Sequence, residues 1–177
     1  ETACRLVHVE QDHIVNANGM VMTPGYVDIH SHGAWGSSFD DGEKGITTAR
    51  AGHMAHGTTR QVLSLITNPI DVICGNLKTV HDMMPDRPDI LGAHLEGPFL
   101  AMPRKGAHDP NCLVDPTPDL VSRMLDAADG CLRQITIAPE LPHGIDAIRR
   151  FFLAGVVPAV GHCDADYQTA RKGFDAG

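Results

Sequence analysis

The sequence predicts an α/β protein in which about five strand–helix units form part of a TIM-type (β/α)8 barrel, preceded by a short β segment. Short, nearly continuous apolar runs alternate with helical patterns from residue 26 onward, which is typical of parallel strands buried on both faces. Polar residues close several of these runs, and barrel enzymes carry their chemistry at the carboxyl ends of their strands. An open, doubly wound sheet is the alternative, and the spread of polar residues over several strand ends favours the barrel.

Each element follows from a local pattern. The apolar runs predicted to be strands are residues 26–32, 58–67, 90–96, 132–139 and 156–162. Apolar residues at helical spacing lie between them, at Ile73, Leu77, Val80 and Met84, at Val121, Met124, Leu125 and Ala128, and at Ile145, Ile148 and Phe152. Asp164 is predicted to cap a last helix. Residues 5–22 alternate around an Asn-Gly turn and predict a β-hairpin.

The length of the chain limits the architecture. A complete barrel takes ~250 residues, and these 177 residues end inside a helix after the fifth predicted strand. We therefore expect a truncated barrel.

Composition excludes several classes of function. The net charge is −8 and no basic cluster offsets it, which argues against nucleic acid and an anionic membrane surface as partners. The apolar stretches are too short for a membrane span, and the N-terminus lacks the pattern of a signal peptide. The 5 cysteines are scattered, which favours free thiols in a reducing compartment and hence the cytoplasm.

The first strand ends in DIHSHG (residues 28–33). Alternate residues of a strand share a face, so His30 and His32 are predicted to project together at the barrel mouth. Paired imidazoles suit Zn or Fe, and Asp28 is a candidate to orient one ring. Two polar residues satisfied at a strand end are the alternative.

Two further strand ends carry similar groups. Glu96 follows an apolar run, where a carboxylate needs a metal or a cationic partner unless it has already reached solvent. His94 shares its face but lies deeper, so a core histidine is an equal alternative. His162 closes the fifth strand after Gly161, which is predicted to let the backbone approach the site closely. Three strand ends delivering His or Glu to one face predict a shared metal.

Three other residues are weaker candidates. Cys163 points to the other face of its strand and is interpreted as a small buried hydrophobe. His108 lies in a polar loop, where it is a candidate for substrate contact or an exposed bystander. Glu140 closes the fourth strand and either supports the site or is a plain surface acid.

These motifs together resemble a known family. PGYVDIHSHG (residues 24–33) is similar to the first-strand signature of the amidohydrolase superfamily. HLEGPF (94–99), KGAH (105–108), APE (138–140) and GH (161–162) resemble, in the same order, the N-acetylglucosamine-6-phosphate deacetylases. The resemblance runs from about residue 19 to the end of the chain.

The resemblance implies a fold and a ligand set. Residues 1–23 would belong to a small β-sandwich, and residues 24–177 would form the first half of a metal-dependent hydrolase barrel. Glu96 and His162 match metal ligands, His30 and His32 match a pair that some members use for a second ion, and His108 matches a substrate-binding histidine. One or two divalent ions are expected, with Zn favoured over Fe or Mn.

The resemblance also implies a reaction. Water activated by the metal removes the acetyl group from N-acetylglucosamine 6-phosphate. The catalytic Asp, a further metal-binding His and most of the phosphate site are expected beyond Gly177, so the chain would be inactive alone and dimeric when complete. The alternatives are N-acetylgalactosamine 6-phosphate as substrate, a dihydroorotase-like activity and a non-catalytic half-barrel module. The lack of a Lys near Glu140 disfavours the dihydroorotase-like activity.

Overall fold

The computed structural model describes residues 16–177. One sheet contains five parallel strands in sequence order, namely β1 (Tyr26–Asp28), β4 (Thr58–Ile66), β5 (Ile90–Glu96), β6 (Leu132–Ile137) and β7 (Val157–Val160). A two-stranded antiparallel ladder, β2 (Gly33–Ala34) and β3 (Ser37–Ser38), lies in the loop after β1. A doubly wound sheet reverses its strand order at a switch point, whereas this order advances without reversal. The strands form a half-barrel, and the predicted fold class is confirmed.

Helices connect the strands of the sheet. They are α1 (Gly42–Ala55), α2 (Ile70–Met83), α3 (Pro118–Ala128), α4 (Gly144–Leu153) and α5 (Tyr167–Ala176). Short 3-10 turns lie at Met84–Asp86, Met102–Arg104 and Pro110–Cys112. In the part of the chain that the structure describes, no helix is long and apolar enough to cross a membrane.

Four predicted strands agree with the structure to within two residues at either end, and the first is shorter than predicted. It was expected over residues 26–32 and ends at Asp28, where its pairing with β4 stops. Beyond that point the backbone N–H groups of His30 and Ser31 donate to the side chains of Asp28 and Ser64. The histidine pair therefore lies just outside the regular ladder.

Helix α1 was not predicted. Its buried side consists largely of small residues, among them Gly45, Ala49 and Gly52, and includes the fully buried Arg50. Glycine and arginine on a core-facing side give no apolar periodicity. Arg50 is accommodated there because its Nε donates to Asp89 Oδ2 at 2.9 Å.

Two local predictions near the C-terminal end were wrong. Phe152 was expected on the buried side of α4, but it is 56% exposed and its neighbour Phe151 is fully buried. Asp164 was expected to cap the last helix, whereas Asp166 does so by accepting a hydrogen bond from Thr169 N at 2.7 Å. The side chain of Asp164 accepts from Arg104 instead.

The predicted N-terminal segment lies mostly outside the described residues. Residues 1–15 of the hairpin and of the expected β-sandwich are not described. The turn at its centre is present, since Met20 N donates to Ala17 O at 2.8 Å. The boundary between residues 23 and 24 stays a prediction.

The two faces of the sheet differ in chemistry. The apolar core lies between the sheet and the helices and contains, for example, Leu63, Leu65, Leu77, Leu95, Met124, Ile135 and Phe151. The intervening strand residues face the barrel interior, and several are buried polar groups: Ser64, His94, Glu96 and Thr136. This alternation aims the polar groups at one site.

Candidate metal centre

Glu96, the last residue of β5, lies at the centre of a histidine cluster. Its side chain is 11% exposed, and four imidazole Nε2 atoms approach its carboxylate. His32 lies 2.7 Å from Oε2 and His162 3.1 Å from Oε1. His30 lies 3.5 Å from Oε1 and His108 3.6 Å from Oε2. The structure thus brings together all five residues that the sequence assigned to metal or substrate.

The His30 and His32 side chains come from the loop after β1. Their ring centroids are 5.3 Å apart, in an edge-to-face arrangement. The prediction that the two rings project together agrees with this geometry, although the strand itself has already ended.

His162 follows β7 and has a left-handed backbone, with φ of 49°. Its Nδ1 lies 2.8 Å from the carbonyl oxygen of Arg104. A carbonyl oxygen only accepts hydrogen bonds, so Nδ1 carries the proton. Nε2 faces Glu96 Oε1 at 3.1 Å. A ring held through Nδ1 by a backbone carbonyl, with Nε2 directed to a carboxylate, is the arrangement of a metal-ligating histidine.

His108 is buried, not exposed as expected for a loop bystander. The N–H of Thr67 donates to its Nδ1 at 3.4 Å, and burial lowers the pKa of the ring. The neutral ring therefore carries its proton on Nε2, the atom that faces Glu96. His108 thus presents an N–H donor to Glu96.

His94 is a satisfied core histidine. It is fully buried, and its nitrogens lie 2.8 Å from Ser64 Oγ and 2.9 Å from Thr136 Oγ1. Burial lowers the pKa of the ring to about 4, so it is neutral. Of the two interpretations of His94, the structure supports the core residue.

The charge balance of the cluster favours a cation. The hydrogen bond from His32, reinforced by the nearby histidines, lowers the pKa of Glu96 to about 2, so the carboxylate is ionised. Two groups have ligand atoms within 4.8 Å of one another, namely His30–His32–Glu96 and Glu96–His108–His162. Imidazole nitrogens with a carboxylate fit Zn, Fe or Mn alike.

Of three further candidates, Asp28 and Cys163 differ from expectation, and Glu140 follows one of its two interpretations. Asp28 does not contact the ring of either paired histidine; its Oδ1 accepts from the His30 backbone N–H at 2.9 Å. Glu140 supports the site, because its Oε1 accepts from Asp164 N at 2.5 Å, two residues after His162. Cys163 is only half-buried.

Gly161 was predicted to let the backbone approach the site, but the close approach that the structure shows at Gly161 is to strand β6. A Cβ at this position would lie 2.8 Å from Thr136 Cγ2. The absence of a side chain lets β7 pack against β6 and carry His162 to the cluster.

Sequence patterns missed Ser64, Thr67 and Arg104. They act on histidines 30 to 58 residues away in the chain. Local periodicity carries no signal for such partners.

Comparison with known proteins agrees with the resemblance drawn from the motifs. No protein-family model matches the chain. It is 27% identical to an N-acetylglucosamine-6-phosphate deacetylase of Lysinibacillus sphaericus, over 97% of this chain and 45% of that protein. It is also 27% identical to an N-acetylgalactosamine-6-phosphate deacetylase of Escherichia coli O157:H7, over 93% of this chain and 45% of that protein.

Solved structures give the same result. An N-acetyl-D-glucosamine-6-phosphate deacetylase of Mycobacterium smegmatis is 41% identical, with a TM-score of 0.83 over 87% of this chain and 44% of that one. A mutant of that enzyme in complex with N-acetyl-D-glucosamine-6-phosphate matches with a TM-score of 0.84 at 41% identity. The match covers 87% of this chain and 40% of that one. The chain thus spans less than half the length of each of these proteins.

Proposed function

We propose that this chain is part of a metal-dependent N-acetylglucosamine-6-phosphate deacetylase and supplies most of its metal ligands. The observation that carries the proposal is that His162 Nε2 lies 3.1 Å from a carboxylate oxygen of the ionised Glu96, while Nδ1 of the same ring is held by the carbonyl oxygen of Arg104. The motif order and the similarity to deacetylases over nearly the whole chain point to the same chemistry.

Glu96 and His162 are the proposed ligands of a first divalent ion. His30 and His32, which share Glu96 with them, are the proposed ligands of a second. Zn is our first choice because His and carboxylate are its usual ligands in catalytic sites. When bound, a divalent ion would lower the pKa of a coordinated water and polarise the acetyl carbonyl.

His108 has a different proposed role. Its Nε2 carries a proton and lies 3.6 Å from Glu96 Oε2, so it can donate but does not present a lone pair. We place it as the donor to the acetyl oxygen, where negative charge develops during attack. The acid that returns a proton to the leaving amine is expected outside these residues, as the family resemblance implies.

The partners follow from the same reasoning. The proposed ligand is an amino-sugar phosphate, and the similar structure of Mycobacterium smegmatis was solved with one. A homodimer of the full-length protein and a cytoplasmic location remain proposals. The proteins compared above are deacetylases, which favours this activity over a dihydroorotase-like one or a non-catalytic module.

A second substrate has one observation in its favour. The similar protein of Escherichia coli O157:H7 is an N-acetylgalactosamine-6-phosphate deacetylase. The two sugars differ only in the configuration at one carbon. The proposed metal ligands do not distinguish the two configurations.

The test is acetate release by the full-length protein, loaded with Zn after removal of metal. N-Acetylglucosamine 6-phosphate, its galactosamine epimer and unphosphorylated N-acetylglucosamine are compared side by side. We expect metal-dependent release from the phosphorylated glucosamine derivative. Faster release from the epimer would support the second substrate, and no release from any of the three would refute the deacetylase.

A further inference from the structure

The segment that carries His30 and His32 is held by side chains in place of a strand ladder. The ladder between β1 and β4 ends at Asp28. Beyond it, Ser31 N donates to Ser64 Oγ at 3.2 Å, and Ser64 N donates to Ser31 O at 3.2 Å. One residue of β4 therefore holds both backbone polar groups of the residue between the two histidines.

The hydroxyl of Ser64 is itself fixed. Its oxygen lies 2.8 Å from Nδ1 of the fully buried His94, whose Nε2 lies 2.9 Å from Thr136 Oγ1. Among the described residues, the Ser64 hydroxyl has two hydrogen-bond partners, Ser31 N and His94 Nδ1. Ser31 N is a donor, so His94 Nδ1 is the acceptor for the Ser64 proton. Ser64 donates to it, which turns its oxygen lone pairs toward Ser31. The His94 ring also packs edge-on against His30, with centroids 4.8 Å apart.

The two histidines share a face only while Ser31 stays extended. Alternate side chains of an extended chain point the same way, and any rotation at the intervening residue separates them. Anchoring both the N–H and the C=O of Ser31 to β4 prevents that rotation after regular pairing has ended. Asp28 holds His30 N but does not reach Ser31 N.

We propose that Ser64, directed by His94, is a positioning residue that holds His30 and His32 in register for metal binding. The inference rests on the proposed function for the identity of the ligand as a metal ion. Its geometric part, the restraint of Ser31, involves no metal ligand atom and is tested in protein stripped of metal.

The experiment replaces Ser64 by Ala in the full-length protein. Removing a group that orients a metal ligand typically weakens metal affinity 10–100-fold. We expect this loss of Zn affinity at the His30–His32 group. A Co(II) titration identifies the signal of that group as the one that His30→Ala removes. In metal-free protein we expect the Ser31 amide to exchange with solvent at least about tenfold faster, because its hydrogen-bond acceptor is gone.

Thr136→Val is the matched control. It removes the other hydrogen bond of His94, at a similarly buried position, and leaves both Ser31–Ser64 bonds in place. We expect Zn affinity and Ser31 exchange within about threefold of wild type. Unchanged Ser31 exchange or unchanged Zn affinity in Ser64→Ala would overturn the inference, as would equal losses in both variants. If the wild type binds no metal, the proposed function fails and the positioning role fails with it, whatever the exchange rates.

Discussion

The carbonyl oxygen of Arg104 accepts a hydrogen bond from His162 Nδ1 at 2.8 Å, across 58 residues of sequence. The loop after β5 is tied to the end of β7 a second time, because Ala101 N donates to His162 O at 2.9 Å. The two bonds hold the His162 backbone in its left-handed conformation and direct its Nε2 to Glu96. The loop between β5 and α3 thus helps to build the site although it supplies only His108 to it.

Glu96→Gln should abolish turnover in the full-length protein and leave the fold intact. The amide keeps the size of the side chain but lacks the charge that balances a divalent ion. Acetate release and metal content are the measurements, with Glu140→Gln as a carboxylate control that should retain metal. Activity within about tenfold of wild type (~1.4 kcal/mol) would contradict the assignment of Glu96 as a ligand.

His108→Ala should lower kcat about 10²–10³-fold, as expected for loss of one donor to a developing oxyanion. Metal content should not change, because His108 presents a proton and not a lone pair. The corresponding His162→Ala variant should lose metal as well as activity. Metal loss in His108→Ala would show that His108 is a ligand after all.

Asp89→Asn should destabilise the fold by about 3 kcal/mol, because it removes the negative charge beside the fully buried Arg50, whose other acceptors, Gln61 and Thr58 O, are neutral. Hydrogen bonds from Arg87 and Arg50 lower the pKa of Asp89 to about 2. Its stabilising effect is therefore present above pH ~4 and is lost as pH falls toward 2.

Urea denaturation of both proteins at neutral pH and near pH 3 measures the effect. The difference in stability between wild type and Asp89→Asn should shrink at the lower pH. Asp82→Asn, in an exposed pair with Lys78, should leave the midpoint unchanged. A pH-independent difference would refute the role of the Asp89 charge.

Gly161→Ala should destabilise the protein by about 1–3 kcal/mol, since the new Cβ would lie 2.8 Å from Thr136 Cγ2 and force β7 away from β6. His162 moves with β7, so metal affinity should fall too. Gly75→Ala is the control, because a Cβ there meets nothing within 4 Å and helix α2 gains propensity. In thermal denaturation, the unfolding midpoint of Gly75→Ala should lie above that of wild type, and the midpoint of Gly161→Ala below it. Equal midpoints for all three proteins would count against close packing of Gly161 on β6.

The 177-residue chain, produced on its own, should self-associate. β1 and β7 are the two ends of the sheet, and apolar side chains there are exposed: Tyr26 is 68%, Val27 58% and Val157 63% accessible. Unpaired strand edges with apolar side chains are prone to pairing with other chains. Sedimentation velocity would show oligomers or aggregates, whereas a monodisperse monomer that unfolds cooperatively would refute the expectation.

The sequence by itself determined the strands of the sheet and the residues of the candidate site. Buried parallel strands are continuous apolar runs, so all five were recognisable, and Glu96 stood out as a carboxylate at the end of one. Helix α1 was missed because glycines and Arg50 face its neighbours, and such a surface has no apolar period. The face of α4 was assigned one residue off, since Phe151 and Phe152 are equally apolar.

Only the tertiary structure decided what each histidine presents. His94, His108 and His162 are the same residue type in similar settings. One is bonded within the core, one presents an N–H to Glu96, and one faces Glu96 with its other nitrogen held by a backbone carbonyl. Their partners are Ser64, Thr67 and Arg104, which lie 30, 41 and 58 residues away along the chain. Local patterns report which face a side chain occupies, whereas protonation and orientation depend on contacts that exist only after the strands have assembled.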